Sequence, residues 1–243
     1  MATISSNSSS DHDAERLPAS AGRARRLIET LGGRFTTELG IAVDQGDQEI
    51  ERWFLAATLF GTRISASIAE RTYTVLANAG VRTIADVEGR SWDDLVDLLG
   101  RGGYGRYDYR TATRLQQLAA IVRDTYGGRI ASLGHTVHDP ATLEATLDAL
   151  PGWGPVTVHL FLRELRGVWP AAAPLLDERA AWSARHLRLM GRAAPTIERL
   201  NQLASQADVD LRDLEAALVR LALRHRRFPD CPGGVRCHAL TSQ

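Results

Sequence analysis

Lysine is absent from this chain: all 29 of its basic residues are arginine. No side-chain amine is therefore present to form a Schiff base with a sugar or carbonyl, and covalent imine chemistry from a side chain is excluded. Cysteine is nearly absent too. The two thiols, Cys231 and Cys237, are too few for a disulfide scaffold and fit a cytoplasmic chain. No apolar run approaches the roughly 20 residues that span a bilayer, so no membrane partner is expected. An excess of charge of either sign is also missing. The formal net charge is +0, so any attraction to nucleic acid has to come from the local distribution of arginine. Convincing two-residue alternation of apolar and polar positions is absent, which argues against a sheet.

Helical periodicity is abundant in these 243 residues, a length that suits one large core or two small ones. Residues 1–20, rich in Ser, Asn and Asp, lack the basic start and apolar stretch of a secretory signal and read as a disordered tail. Ile50, Trp53, Phe54 and Ala57 mark one buried helix face. Ile64, Ile68, Val75 and Leu76 mark a second, ending near Gly80. Ser91 with Asp94 reads as the cap of a short helix carrying Leu95, Leu98 and Leu99. Further stripes run through Ala112, Leu115, Leu118 and Val122, through Ile197, Leu200 and Leu203, and through Leu211, Leu214, Leu218 and Leu221. The fold class is all-α. Two linkers, Gly- and His-rich 126–138 and Pro- and Ala-rich 167–174, bracket the most informative segment.

That segment, 139–165, reads DPATLEATLDALPGWGPVTVHLFLREL. Asp139 with Pro140 predicts a capped helix start, and Leu143, Leu147 and Leu150 its buried face. Gly152 and Gly154 make the turn, and Val158, Phe161, Leu162 and Leu165 face inward from a second helix. Glycines at i and i+2 let another molecule approach the main chain. Amides at the start of the second helix favour a phosphate.

LPGWG between two amphipathic helices resembles the helix-hairpin-helix DNA glycosylases of the endonuclease III superfamily. In order along the chain, AATLFGTRISASIAERTYTVL, GYGRYDYRTATRLQQLAAIV and WPAAAPLLDERAAWSARHL resemble further family segments, so the similarity runs from about Gln48 to Phe228. The resemblance implies two helical domains flanking a cleft. Residues 46–166 would form a helical barrel ending in the hairpin, 21–45 plus 167–230 a second helical domain, and 231–243 a C-terminal tail.

The resemblance also assigns roles. Asp177 matches the catalytic Asp, which stabilises the oxocarbenium-like sugar and aligns water. Val156 stands where bifunctional members carry the lyase lysine, implying a monofunctional glycosylase of base excision repair that leaves an abasic site. Gly152, Trp153, Gly154, Val156 and Thr157 form the expected DNA-binding turn. Thr62 and Arg63 lie where the family often holds a Gln that fills the gap left by the extruded base. Trp182, Tyr107 and His186 are base-pocket candidates; for Trp153 both DNA contact and packing beneath the turn stay open. The two cysteines fall short of the family's four-cysteine iron–sulfur set. Cys231, Cys237 and His238 lack a fourth ligand, so neither a cluster nor a metal is expected. The resemblance also implies that the hairpin carbonyls can hold a monovalent cation. The expected partner is double-stranded DNA, bound by a monomer in the cytoplasm at the nucleoid. A non-catalytic helix-hairpin-helix DNA-binding protein and a helical adaptor remain as alternatives.

Overall fold

A computed structural model describes residues 19–61, 64–225 and 230–241. In chain order its helices are α1 (Ala19–Leu31), α2 (Phe35–Glu38), α3 (Asp47–Phe60), α4 (Ala66–Asn78), α5 (Trp92–Gly102), α6 (Asp108–Tyr126), α7 (Leu133–Thr136), α8 (Pro140–Asp148), α9 (Pro155–Glu164), α10 (Glu178–His186), α11 (Ile197–Ala207), α12 (Leu211–His225) and α13 (His238–Thr241), with short 3-10 turns between some of them. Among the described residues the extended pairing amounts to one isolated bridge, Arg166 to Trp169. The chain is all-α, and none of its described helices is long and apolar enough to cross a membrane. Thr62, Arg63 and most of 1–20 lie outside the described residues.

Capping chemistry explains where several helices begin. Ser65 Oγ accepts from Ile68 N at 3.4 Å, Ser91 Oγ from Asp94 N at 3.1 Å and Asp139 Oδ2 from Thr142 N at 2.8 Å. Each satisfies an amide that has no preceding turn to bond to. α4 stops as the spacing predicts: Gly80 takes a φ of +86°, and Val81 N bonds back to Leu76 O at 2.9 Å. That left-handed position suits glycine.

The chain divides into two compact units. The larger is Gly33–Asp177. Its centre is α3, where Ile50, Trp53, Phe54, Leu55, Ala56, Ala57 and Leu59 are all buried. A helix apolar nearly all round belongs inside its unit. Phe54 stacks on Trp153 with ring centroids 4.7 Å apart, and Phe161 stands edge-on to both Trp153 and Trp169. Two buried acids tie this core to the main chain. Glu164 accepts from Phe35 N and Thr36 N at 3.0 and 2.9 Å and from Arg163 Nη2 at 3.2 Å. Glu51 accepts from Ala131 N at 2.8 Å. Burial, aided by the nearby Asp47, raises the Glu51 carboxyl to about 7.

The expected linkers 126–138 and 167–174 are packed segments. Ile130, Ala131 and Leu133 are buried, and α7 forms there. Gly134 lets Trp169 lie directly against the main chain: a Cβ at that position would run into the indole. Trp169, Ala171 and Ala172 are buried in the second segment, which Arg166 fastens through Pro174 O at 2.8 Å.

The smaller unit comprises the described residues of Met1–Gly32 and Glu178–Gln243. Leu27 of α1, Leu200 and Leu203 of α11, and Leu214, Leu218 and Leu221 of α12 are buried. α10 packs on α12, and Arg26 reaches Leu240 O at 3.4 Å to hold α13 against α1.

Candidate functional site

α8 and α9 are joined by the turn 149–154, and its two glycines do different work. Gly152 is exposed with a φ of +81°, and a Cβ there would run into the Arg114 side chain. Only glycine takes that backbone conformation without strain. Gly154 is extended, φ −166°, and no heavy atom lies within 4 Å of its missing Cβ. It serves as the N-cap of α9, followed by Pro155 at the first position, where a missing N–H costs nothing.

Between these glycines Trp153 turns inward. It is 7% exposed, and its Nε1 donates to Thr58 Oγ1 at 3.1 Å. Of the alternatives left open by the sequence, the indole packs beneath the turn. Thr157 is also buried, its Oγ1 occupying the space a Cβ on Gly61 would need. Val156, by contrast, is 64% exposed. The turn therefore offers solvent the main chain of Gly152 and the side chain of Val156, beside the start of α9, where the helix dipole is positive. Arg114 lies over Gly152, and Arg110 stands one turn before it on α6. Burial first, then repulsion from Arg110, lowers the Arg114 guanidinium. An overall neutral chain thus carries a basic pair beside its hairpin turn.

Asp177 precedes α10 by one residue and is partly exposed. Its Oδ2 lies 4.0 Å from His159 Nε2 on α9. His159, with Ala141, Glu144, Ala145, Asp148, Pro155, Val158 and Leu175, lines a groove of about 500 Å³ along the outer side of the hairpin. His159 was not among the expected residues. Its only sequence signal is a polar side chain interrupting the apolar run Val158, Leu160, Phe161 and Leu162. A second cavity, about 910 Å³, is lined by Glu49, Arg52, Tyr73, Asn78 and Arg82 among others. Within it Arg52 pairs with Glu49 at 2.8 Å and donates to the Tyr73 hydroxyl at 3.3 Å.

Tyr107 ends a short 3-10 turn before α6 and is partly buried against the larger core. Trp182 and His186 meet in the smaller unit, their rings parallel within 9° at 5.0 Å. His225 of α12 joins them, 4.3 Å from the His186 ring centre. Cys231 Sγ sits 3.5 Å from His186 Nε2. Burial, then the charge of His225, lowers His186; burial, then His238, lowers His225. Burial pushes the Cys237 thiol up to about 11. The structure thus gathers His186, His225, Cys231 and Cys237, of which the sequence had placed His186 in a base pocket.

The chain matches no protein-family model and no curated protein sequence.

Proposed function

We propose that the chain is a monofunctional DNA N-glycosylase of base excision repair, acting as a monomer on double-stranded DNA at the nucleoid. The observation that carries this reading is Asp177, a partly exposed carboxylate held 4.0 Å from His159 on the second helix of a glycine-turn hairpin. As the bond between base and sugar breaks, its electron pair leaves with the base and positive charge grows on the deoxyribose. The Asp177 carboxylate opposes that charge and orients the water whose oxygen bonds to C1′, and the proton that water gives up passes to the departing base.

The hairpin supplies the grip. Gly152 admits a phosphate close to the main chain, the amides at the start of α9 bond to it, and Arg110 and Arg114 add charge. The damaged or mispaired base must leave the stack to be reached. Because the chain has no lysine, the product is an intact abasic strand and not a nicked one.

The test uses labelled duplexes carrying one alkylated, deaminated, oxidised or mispaired base, sized with and without hot alkali, for the parent protein and Asp177→Asn. Cuts that appear only after alkali and vanish in the variant are expected. Duplex binding with no cuts on any substrate would replace this reading with a non-catalytic DNA-binding protein.

A further inference from the structure

We infer that His186, His225, Cys231 and Cys237 form a closed, tetrahedral zinc site that pins the C-terminal segment to α10 and α12. One ligand atom from each of the four residues lies within 4.8 Å of all the others. Zinc bonds of about 2.0–2.1 Å to nitrogen and 2.3 Å to sulfur put tetrahedral ligand atoms roughly 3.3–3.8 Å apart. The 3.5 Å between His186 Nε2 and Cys231 Sγ already matches that edge. The widest separation closes by a shift of roughly an ångström, within the reach of side-chain rotation.

The surroundings also fit an ion. His186 and His225 are the last residues of α10 and α12, so two packed helices deliver both imidazoles from fixed positions. Between the thiols, Gly233 and Gly234 take φ values of +69° and +55° and turn the chain back on itself. A Cβ on Gly233 would run into the His186 carbonyl, so glycine is needed for the loop to lie against the end of α10. The His238 amide donates to Cys231 Sγ at 3.1 Å. Amides aimed at sulfur stabilise thiolates, the form that binds metal. Trp182 lies flat on the His186 ring and fixes its plane.

Two thiolates and two imidazoles in one tetrahedron select zinc among the common biological ions. All four positions are filled by protein, so the site is structural and leaves no place for a substrate. Its ligands come from three separate stretches, and the ion would replace core packing that a short C-terminal segment cannot supply by itself. The site is independent of the glycosylase reading.

The experiment uses the full chain, purified under reducing conditions, with metal content measured by elemental analysis. The chain is then stripped with a chelator and titrated with cobalt(II) as a visible probe. One zinc per chain is expected, and one cobalt giving tetrahedral d–d bands with a thiolate charge-transfer band that zinc abolishes. Cys231→Ser and His225→Ala should each weaken binding by at least the 10- to 100-fold that loss of a supporting group costs. Cys231→His, which keeps four donors, should retain one cobalt with a weaker charge-transfer band, whether or not the other variants fold. Less than about a tenth of an equivalent of zinc after zinc addition, an octahedral cobalt spectrum, iron with sulfide in the purified chain, or cobalt binding unchanged in both ligand variants would each overturn the site.

Discussion

The two units bury their polar groups in contrasting ways. In Gly33–Asp177 the buried acids Glu164 and Glu51 are received by backbone amides, at α2 and at Ala131. In the smaller unit, the end of α10, the end of α12 and the glycine loop bring imidazoles and thiols to one point. In the first arrangement each acid meets main-chain donors, although Glu51 Oε2 is buried without a hydrogen-bond partner. The second is a set of metal-ligating atoms that lie within 4.8 Å of one another. Buried polar groups hold a fold together when each has a partner, and that partner can be an amide or a metal.

The largest test of this contrast removes Glu164. Glu164→Ala strands Arg163, itself 2% exposed, and frees two amides of α2. Loss of one partner of a buried pair costs about 3–5 kcal/mol. Denaturant unfolding should report a loss of that size, while zinc content stays at one per chain. Falling zinc content in a folded variant would break the separation of the two devices.

Next comes pH. The folded-state proton affinity of Glu51 is raised to about 7, above its ordinary 4.5. Between those values the folded chain holds a proton that the unfolded chain has released. Stability therefore falls as pH rises through that window and stays at the lower level above it. The shift corresponds to about 3 kcal/mol. Glu51→Gln should flatten this slope in thermal melts at low ionic strength, and an unchanged slope would mean that Glu51 is hydrated.

Chelation probes the other side. Zinc at 100 times its Kd contributes about 2.7 kcal/mol. Chelator should therefore lower amide-exchange protection in α10 and α12 by about 100-fold and leave α3 and α9 as they were. Equal losses in both units would refute a local ion clip.

The smallest expected effects sharpen the reading of the hairpin. Gly152→Val forces a β-branched residue to φ +81° against Arg114, a strain of about 1–2 kcal/mol, and should weaken duplex binding about tenfold at fixed salt. Gly154→Ala, extended and with space around it, should bind as the parent does. Arg110→Ala with Arg114→Ala should reduce the salt slope of duplex affinity by about 1.8, roughly 0.9 for each phosphate no longer neutralised. An unchanged slope would remove the arginine pair from the interface.

Local chemistry was legible in the sequence and long-range assembly was not. Asp139 with Pro140, Ser91 with Asp94 and the stop at Gly80 are written within a few residues, and each appears as expected. The stripes on α3, α6, α11 and α12 are legible for the same reason. The inward turn of Trp153 depends on Phe54 and Thr58, nearly a hundred positions earlier, which no local pattern reveals. Segments 126–138 and 167–174 read as linkers because glycine and alanine carry little apolar signal, yet Gly134 is small so that Trp169 can sit on it. The His–Cys group was hidden because its ligands span positions 186 to 237 in no regular spacing, and His225 sits among arginines. His159 was hidden beside Asp177 because the two are 18 positions apart, 177 − 159.

Base release under single-turnover conditions, measured alongside duplex affinity for the parent and Asp177→Asn, tests the proposed activity most directly. A fixed carboxylate that opposes charge in the transition state should be worth on the order of 10² to 10³ in rate, so the variant should lose that much while binding DNA as tightly as the parent. Equal base release by both proteins, or none by the parent from any altered duplex it binds, would contradict a glycosylase built around Asp177.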